Sequence, residues 1–421
     1  MDSFLINGGK KLSGSVAISG SKNAILPVMA AALLCSGKCV LHNVPHLLDF
    51  KNMANLLVHL GAKVTHEAGT MTIDTCDINV WEAPYELVSK MRASIYVMGP
   101  LLGRLGKAIV SFPGGCAIGS RPVDFHLSAF EKLGARIMIE HGNIYGYCPD
   151  GLKGAVIDMP FPSVGATASA ILCSVISEGE TLIKNVALEP EIDDSLIDFL
   201  TLMGAKINRI NDNELQIIGV KELYPAEMTM VSDRIEAGTF LLAGAITKSN
   251  ITITNCEPKH QKSLLEKLEK TGCTFAQTQD TITIFPAETI KPIDITTAPY
   301  PAFPTDLQAQ YMACMTLADG SCKIKETIYP DRFLQAAELN RLGANITVKD
   351  GTATVLGVKQ LSGAEVMASD LRASAALILA GLVAEGTTKI SRIYHIDRGY
   401  EKIEDKLGSL GADIQRIVAK R

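Results

Sequence analysis

A single tryptophan and an aromatic content of 5% leave this 421-residue chain little surface for stacking bases, and its net charge of −5 gives no general hold on a phosphate backbone. Nucleic acid is therefore not an expected partner. Apolar helical runs such as Ala375–Ala384 fall well short of the ~20 residues that span a bilayer. The opening MDSFLINGGKK lacks the apolar core of a signal peptide. Ten cysteines are too sparse for a disulfide scaffold, and none forms a CxxC pair: Cys35 and Cys39 are four apart, Cys314 and Cys322 eight. The chain reads as soluble, reduced and cytoplasmic, with no membrane partner. Apolar residues make up 47%, and no segment has the composition of a disordered tail, so sizeable cores are expected in about two to four domains.

The familiar catalytic signatures are missing too. There is no GxGxxG after a strand, no HExxH and no GxSxG. GSVAISGSKN imitates a phosphate loop, but five residues separate Gly14 from Gly20 and Ser21 intrudes before Lys22, so the spacing fails. His46, His59 and His66 lack metal-ligand spacing and read as surface or half-buried helix residues. Neither a metal nor a cofactor is expected.

What is present is repetition. A helix-like segment ending at a glycine and followed by an alternating strand recurs as NLLVHLGAKV, AFEKLGARI, DFLTLMGAKI, LEKLEKTGCTF, AELNRLGANI and DKLGSLGADI. The glycines are Gly61, Gly134, Gly204, Gly272, Gly343 and Gly411, at intervals of 73, 70, 68, 71 and 68. Glycine is the residue that stops a helix in the left-handed conformation and releases a strand. A second helix recurs on the same period, opening on polar residues and turning apolar: SGSKNAILPVMAAALL, MRASIYVMGPLL, SVGATASAILCSV, SDRIEAGTFLLAGAI, FPTDLQAQYMACMTL and SDLRASAALILAGLV. Its near-continuous apolar character predicts burial on most sides. Each unit then has two helices and three or four short strands, and six units divide into two domains of three.

Capping explains the serines and aspartates at these helix openings. It does not explain Lys22, Arg92 and Arg372, because a cation opposes the positive end of the helix dipole unless an anion sits beside it. A reactive thiol is the other candidate. Cys116 lies in FPGGCAIGSRPVDFH between a predicted strand, KAIVSF, and a predicted helix, with Pro113, Gly114, Gly115 and Gly119 around it and Arg121 placed to favour a thiolate. A buried inert thiol fits Cys173 or Cys314 better. Asp306 opens its helix in FPTDLQAQ, where N-capping competes with a chemical role; Arg332 and Arg398 each follow an aspartate, so surface ion pairing competes there.

Read together, SGSKNAILP, MRAS, PGGCAIGSRPVD, SVGAT, DRIEAGTF, YPAFPTDLQAQ, DRF, ASDLRAS and RIYHIDRGYE run in order along essentially the whole chain. In this the chain resembles the enolpyruvyl transferases, in the branch that works on UDP-N-acetylglucosamine. The resemblance implies an α/β fold: a two-domain inverted α/β barrel, each domain three βαβαββ repeats whose buried helices point toward an interdomain cleft. It implies one domain of residues 22–229, carrying a catalytic loop 112–122, and a second of 1–21 plus 230–421. The implied reaction moves the enolpyruvyl group of phosphoenolpyruvate to the sugar 3-hydroxyl through a tetrahedral intermediate, with no cofactor and with the domains closing on ligand. Cys116 would be the general acid at the methylene carbon and the site of a covalent adduct with phosphoenolpyruvate, and fosfomycin would alkylate it. Asp306 would accept the hydroxyl proton. Lys22, Arg121 and Arg398 would hold the phosphate, Arg332 and Arg372 the carboxylate, with Asn23 beside them. Asn23, Arg92, Arg121, Pro122, Val123, Asp124, Phe125, Ser163, Val164, Asp306 and Ile328 would line the nucleotide-sugar site. A monomer is expected.

Two stretches depart from the family pattern. Phe161 and Pro162 stand where relatives carry a lysine and an apolar residue, and Pro330 and Asp331 replace a Glu-Asn pair before Arg332. The rivals are the shikimate-3-phosphate branch, which carries Ser-Lys-Ser where this chain has Ser21-Lys22-Asn23 and lacks the PGGC loop, and a non-catalytic nucleotide-sugar-binding regulator. Intact Lys22, Cys116, Asp306 and Arg398 argue against the latter.

Overall fold

The six glycines chosen by spacing all sit in the left-handed region, with φ between 91° and 109°, so each ends its helix as expected. The computed structural model describes residues 2–113 and 123–419. These divide into two compact units, one of residues 2–19 and 232–419, the other of the described residues within 20–231.

Each unit holds three four-stranded sheets of one pattern. In the 20–231 unit, Lys38–His42 runs antiparallel to Thr70–Asp74, which pairs antiparallel with Lys63–Glu67. A short strand, Glu227–Thr229, completes that sheet in parallel with Lys38–His42, so the first repeat borrows its first strand from the far end of the unit. The other unit does the same with the chain's start. Gly14–Ala17 pairs in parallel with Ile251–Thr254, and Ser3–Asn7 is inserted between Thr387–Ser391 and Asp413–Ile417. Each unit is thus a closed set of three βαβαββ repeats.

The first helix of each βαβαββ repeat, the one that opens on polar residues, is the buried one. Lys22–Ala31, Val164–Ser174, Arg234–Ile246 and Leu371–Gly381 are regular helices with apolar residues on every side. The second and fifth open differently. Arg92–Val97 and Thr305–Leu307 are 3₁₀ turns that hand over to helices Met98–Leu105 and Gln308–Met315. In the former, Pro100 falls in the first α-helical turn, where its missing N–H is harmless. Each unit has its own core, around Met29, Phe130, Ile171 and Phe199 in one and Phe4, Phe240, Tyr311 and Leu377 in the other. Cys173 and Cys314 are buried there, with burial pushing both thiols up. Of the three histidines noted in sequence, only His59 is on a helix. His66 is on a strand and stacks at 4.1 Å on His46, which lies in a loop. Among the described residues no group of His, Cys, Asp or Glu is arranged to hold a metal, and no helix is long and apolar enough to cross a membrane.

Candidate active site

In the 232–419 unit the buried helices Arg234–Ile246, Gln308–Met315 and Leu371–Gly381 pack on one another, and the short helix Ile393–Arg398 packs on the last. Asp370 caps Leu371–Gly381 through the amides of Arg372 and Ala373, which explains an aspartate at that opening. Asp306 does not cap. Its carboxylate bridges two guanidinium groups, with Oδ1 at 2.8 Å from Arg332 Nη1 and Oδ2 at 2.7 Å from Arg372 Nη2. The arginine side chains are 6% and 4% exposed, the aspartate 25%. Burial alone would push the Asp306 carboxyl up; the Arg372 and Arg332 charges outweigh it and hold the group well below the ordinary carboxylate range.

Residues absent from the sequence-level candidates hold this cluster in place. Thr239 gives its only hydroxyl hydrogen to the Ile235 carbonyl, so Tyr400 donates to Thr239 at 2.8 Å. The Tyr400 oxygen is then left to accept from Arg372 Nη1 at 3.3 Å, and Gln310 Nε2 bonds the Asp306 carbonyl at 3.0 Å. On the other side Arg332 Nη1 also reaches Thr305 Oγ1 at 3.0 Å. The Tyr329–Arg332 turn closes through Arg332 N–H to the Tyr329 carbonyl at 2.9 Å. Proline suits the second position of such a turn, so the Pro330–Asp331 departure shapes the approach to Arg332 without removing it. Arg398 ends its short helix half-buried, while the neighbouring Asp397 gives both oxygens to Arg416.

In the 20–231 unit Lys22 is the first residue of its helix and Asn23 the second, both half-buried. Lys22 Nζ lies 3.0 Å from Asp49 Oδ2, with side-chain exposures of 13% and 1%. The anions beside Lys22 and Arg372 are therefore carboxylates of the protein itself. Arg92 opens its 3₁₀ turn, which packs against both Lys22–Ala31 and Val164–Ser174. Ser163 caps the latter by accepting from Ala166 N–H, leaving Val164 in its first turn; Phe161, just ahead, is exposed. Asp124 and Phe125 open helix Asp124–Lys132, with Val123 buried at its cap. Next to them is His126, also not foreseen. Its Nδ1 lies 2.7 Å from Ser169 Oγ, and its ring sits where a Cβ on Gly165 would come within 3.1 Å. Burial, then the nearby Arg92 charge, pushes His126 down to about 3, so the ring is neutral.

Cys116, Arg121 and Pro122 lie outside the described residues. So the structure clusters Asp306, Arg332 and Arg372 in one unit, with Ile328 on the segment leading to Arg332. In the other it places Lys22, Asn23, Arg92, Asp124, Phe125, Ser163 and Val164 on adjoining helix openings.

The profile of the family described as EPSP synthase (3-phosphoshikimate 1-carboxyvinyltransferase) matches residues 6–407. A protein of Chloroherpeton thalassium named UDP-N-acetylglucosamine 1-carboxyvinyltransferase is 54% identical over 99% of this chain and 97% of its own. A protein of the same name from Desulfosudis oleivorans is 50% identical over 99% and 100%. Among solved structures, the enolpyruvyl transferase NikO from Streptomyces tendae superposes with a TM-score of 0.89 at 26% identity, over 100% of this chain and 99% of that one. EPSP synthase from Acinetobacter baumannii gives 0.76 at 17% identity, covering 99% and 100%, a likeness of fold alone. The chain belongs to the EPSP synthase family of carboxyvinyl transferases, and its two sets of βαβαββ repeats are the fold of that family.

Proposed function

We propose that the chain transfers the enolpyruvyl group of phosphoenolpyruvate to the 3-hydroxyl of UDP-N-acetylglucosamine with release of phosphate, the step that commits the sugar to peptidoglycan. The observation that carries this reading over the shikimate branch is identity of 50–54% along 99% of the chain with proteins named for that activity.

The chemistry needs a proton on the methylene carbon of phosphoenolpyruvate, which makes C2 electrophilic, and a base that removes the sugar hydroxyl proton as its oxygen adds there. Loss of a proton from the methyl group so formed, together with phosphate, then yields the enol ether. Cys116 supplies the first proton in this reading. Asp306 is the base, supported by its position as the more exposed member of a cluster whose cations lie behind it. Clamped between two guanidinium groups, it is a weak base. A substrate carboxylate that takes over N–H groups of Arg332 or Arg372 competes with Asp306 for them, and so restores its proton affinity when the substrate is in place. Lys22, Arg121 and Arg398 hold the phosphate. Arg92, Asp124, Phe125, Ser163, Val164 and Ile328 contact the nucleotide sugar, with Asn23, Pro122 and Val123.

Purified protein is expected to release phosphate from phosphoenolpyruvate only when UDP-N-acetylglucosamine is present. Release with shikimate 3-phosphate and none with the nucleotide sugar would overturn the assignment.

A further inference from the structure

One buried carboxylate, linked to Arg332 through Thr305, has no role in the scheme above. Glu326 is 3% exposed and directly follows the strand Ser321–Lys325. Its Oε1 accepts from three donors: the backbone amides of Ile328 at 2.8 Å and Tyr329 at 3.0 Å, and Thr297 Oγ1 at 2.7 Å. Its Oε2 accepts from Thr305 Oγ1 at 2.9 Å. A carboxylate can only accept, so it fixes the direction of the Thr305 O–H bond. With its one hydrogen committed to Glu326, Thr305 turns a lone pair to Arg332 Nη1 at 3.0 Å, the same nitrogen that reaches Asp306 at 2.8 Å. One side chain therefore shapes the backbone that presents Ile328 and sets the hydroxyl that aims Arg332.

We propose that Glu326 is a positioning residue for both substrates, holding Arg332 toward phosphoenolpyruvate through Thr305 and Ile328 toward the nucleotide sugar through the 328–329 amides. This rests on the roles given above to Arg332 and Ile328. The two arms separate chemically. Thr305→Val removes only the hydroxyl relay. Glu326→Gln keeps an oxygen for the backbone amides, which cannot reverse, and turns an NH₂ group on Thr305, whose hydroxyl can. Glu326→Ala removes both arms.

The test is steady-state kinetics of the full chain with each substrate varied in turn, alongside thermal unfolding. Thr305→Val is expected to raise KM for phosphoenolpyruvate by about tenfold or more while leaving that for UDP-N-acetylglucosamine within about twofold, the size expected for a lost hydrogen bond to a charged group. Thr305→Ser restores the hydroxyl and is expected to restore KM. Glu326→Gln should follow Thr305→Val in weaker form, and Glu326→Ala should raise both constants. A Thr305→Val protein that melts earlier but keeps both KM values, or raises the two equally, would show a purely structural carboxylate and overturn the proposal. Arg332→Lys separates the two levels. If it leaves KM for phosphoenolpyruvate unchanged, the reading of Arg332 itself falls; if it raises that KM and Thr305→Val does not, the proposal alone falls.

Discussion

The two units solve the same electrostatic problem with opposite polarity. In the 20–231 unit the carboxylate of Asp49 is buried at 1% exposure and the cation, Lys22, is the more open partner at 13%. In the other unit the arginines are the buried members and Asp306 keeps 25% of its side-chain surface. One unit presents a cation backed by an anion, the other an anion backed by two cations. Lysine offers a compact charge on a flexible stem, suited to a phosphate; the paired guanidinium forks hold a carboxylate in a fixed plane. Repeats of common pattern thus present opposite charges by exchanging which partner is buried.

Asp306→Asn attacks this difference most severely. It leaves two buried guanidinium groups sharing a neutral acceptor, and it removes the proposed base. Turnover is expected to fall by about a hundredfold or more, and stability by ~3–5 kcal/mol, as for a broken buried ion pair. Asp49→Asn should act more mildly: Lys22 becomes less anchored, KM for phosphoenolpyruvate shifts severalfold, and turnover stays within about tenfold of the parent. Steady-state kinetics of both variants checks this; equal losses of turnover would erase the asymmetry. The pH profiles sharpen it further. Because the lowered Asp306 group titrates below the ordinary carboxylate range in the free protein, it should be invisible in the acid limb of kcat/KM. If substrate loosens the clamp, the acid limb of kcat should stand at higher pH than that of kcat/KM.

What the sequence made legible was local. A left-handed helix end demands glycine, so six evenly spaced glycines reported six repeats. Cations at helix openings broke a local rule, and Lys22 and Arg372 proved to be ion-paired. The pairing of the borrowed strands Ser3–Asn7 and Glu227–Thr229 was not legible in the residues, because their partners lie 187 residues or more away and leave no mark on the strands themselves. Asp49, Glu326 and His126 were missed for a related reason. Each is a single polar residue whose partner is set by packing; an aspartate amid the apolar LLDF stretch was the one available hint. For Asp306 the residues left capping and a chemical role in competition; the fold turns its carboxylate toward Arg332 and Arg372, away from any cap.

Acid should separate the units, and the only tryptophan, Trp81, reports on the 20–231 unit. His126 is held at about 3 in the folded chain against an ordinary 6.5. Between those values the unfolded chain binds a proton that the folded one does not, so the stabilising term is complete above about pH 6.5 and is lost as pH falls toward 3. The Asp306 term also fades with acid, but only as pH falls from the ordinary carboxylate range through its lowered value. The urea midpoint followed by Trp81 fluorescence should therefore drop first, by an amount corresponding to up to ~3 kcal/mol at pH 4. His126→Asn should flatten the pH dependence; an unchanged slope would mean that the ring is not the cause.

The smallest effects should be those that the units share. Gly204 and Gly343 end equivalent helices at φ of 100° and 91°, and a Cβ at either meets nothing closer than 3.7 Å. Alanine at each is expected to cost only the left-handed backbone penalty, ~1–2 kcal/mol. The two losses should match, although one glycine lies in the unit with the exposed cation and the other in the unit with the exposed carboxylate. Gly61 supplies the contrast within a single unit: its φ is 109°, but a Cβ there would stand 2.6 Å from the Asp77 carbonyl oxygen. Gly61→Ala must displace backbone as well as adopt the strained angle, so its loss should exceed that of Gly204→Ala. Urea unfolding of the three variants, followed by far-UV circular dichroism and Trp81 fluorescence, measures the order. Equal losses at Gly61 and Gly204 would mean that the 77–78 segment yields freely, and unequal losses at Gly204 and Gly343 would mean that the repeats have diverged in their helix ends as well as in their charges.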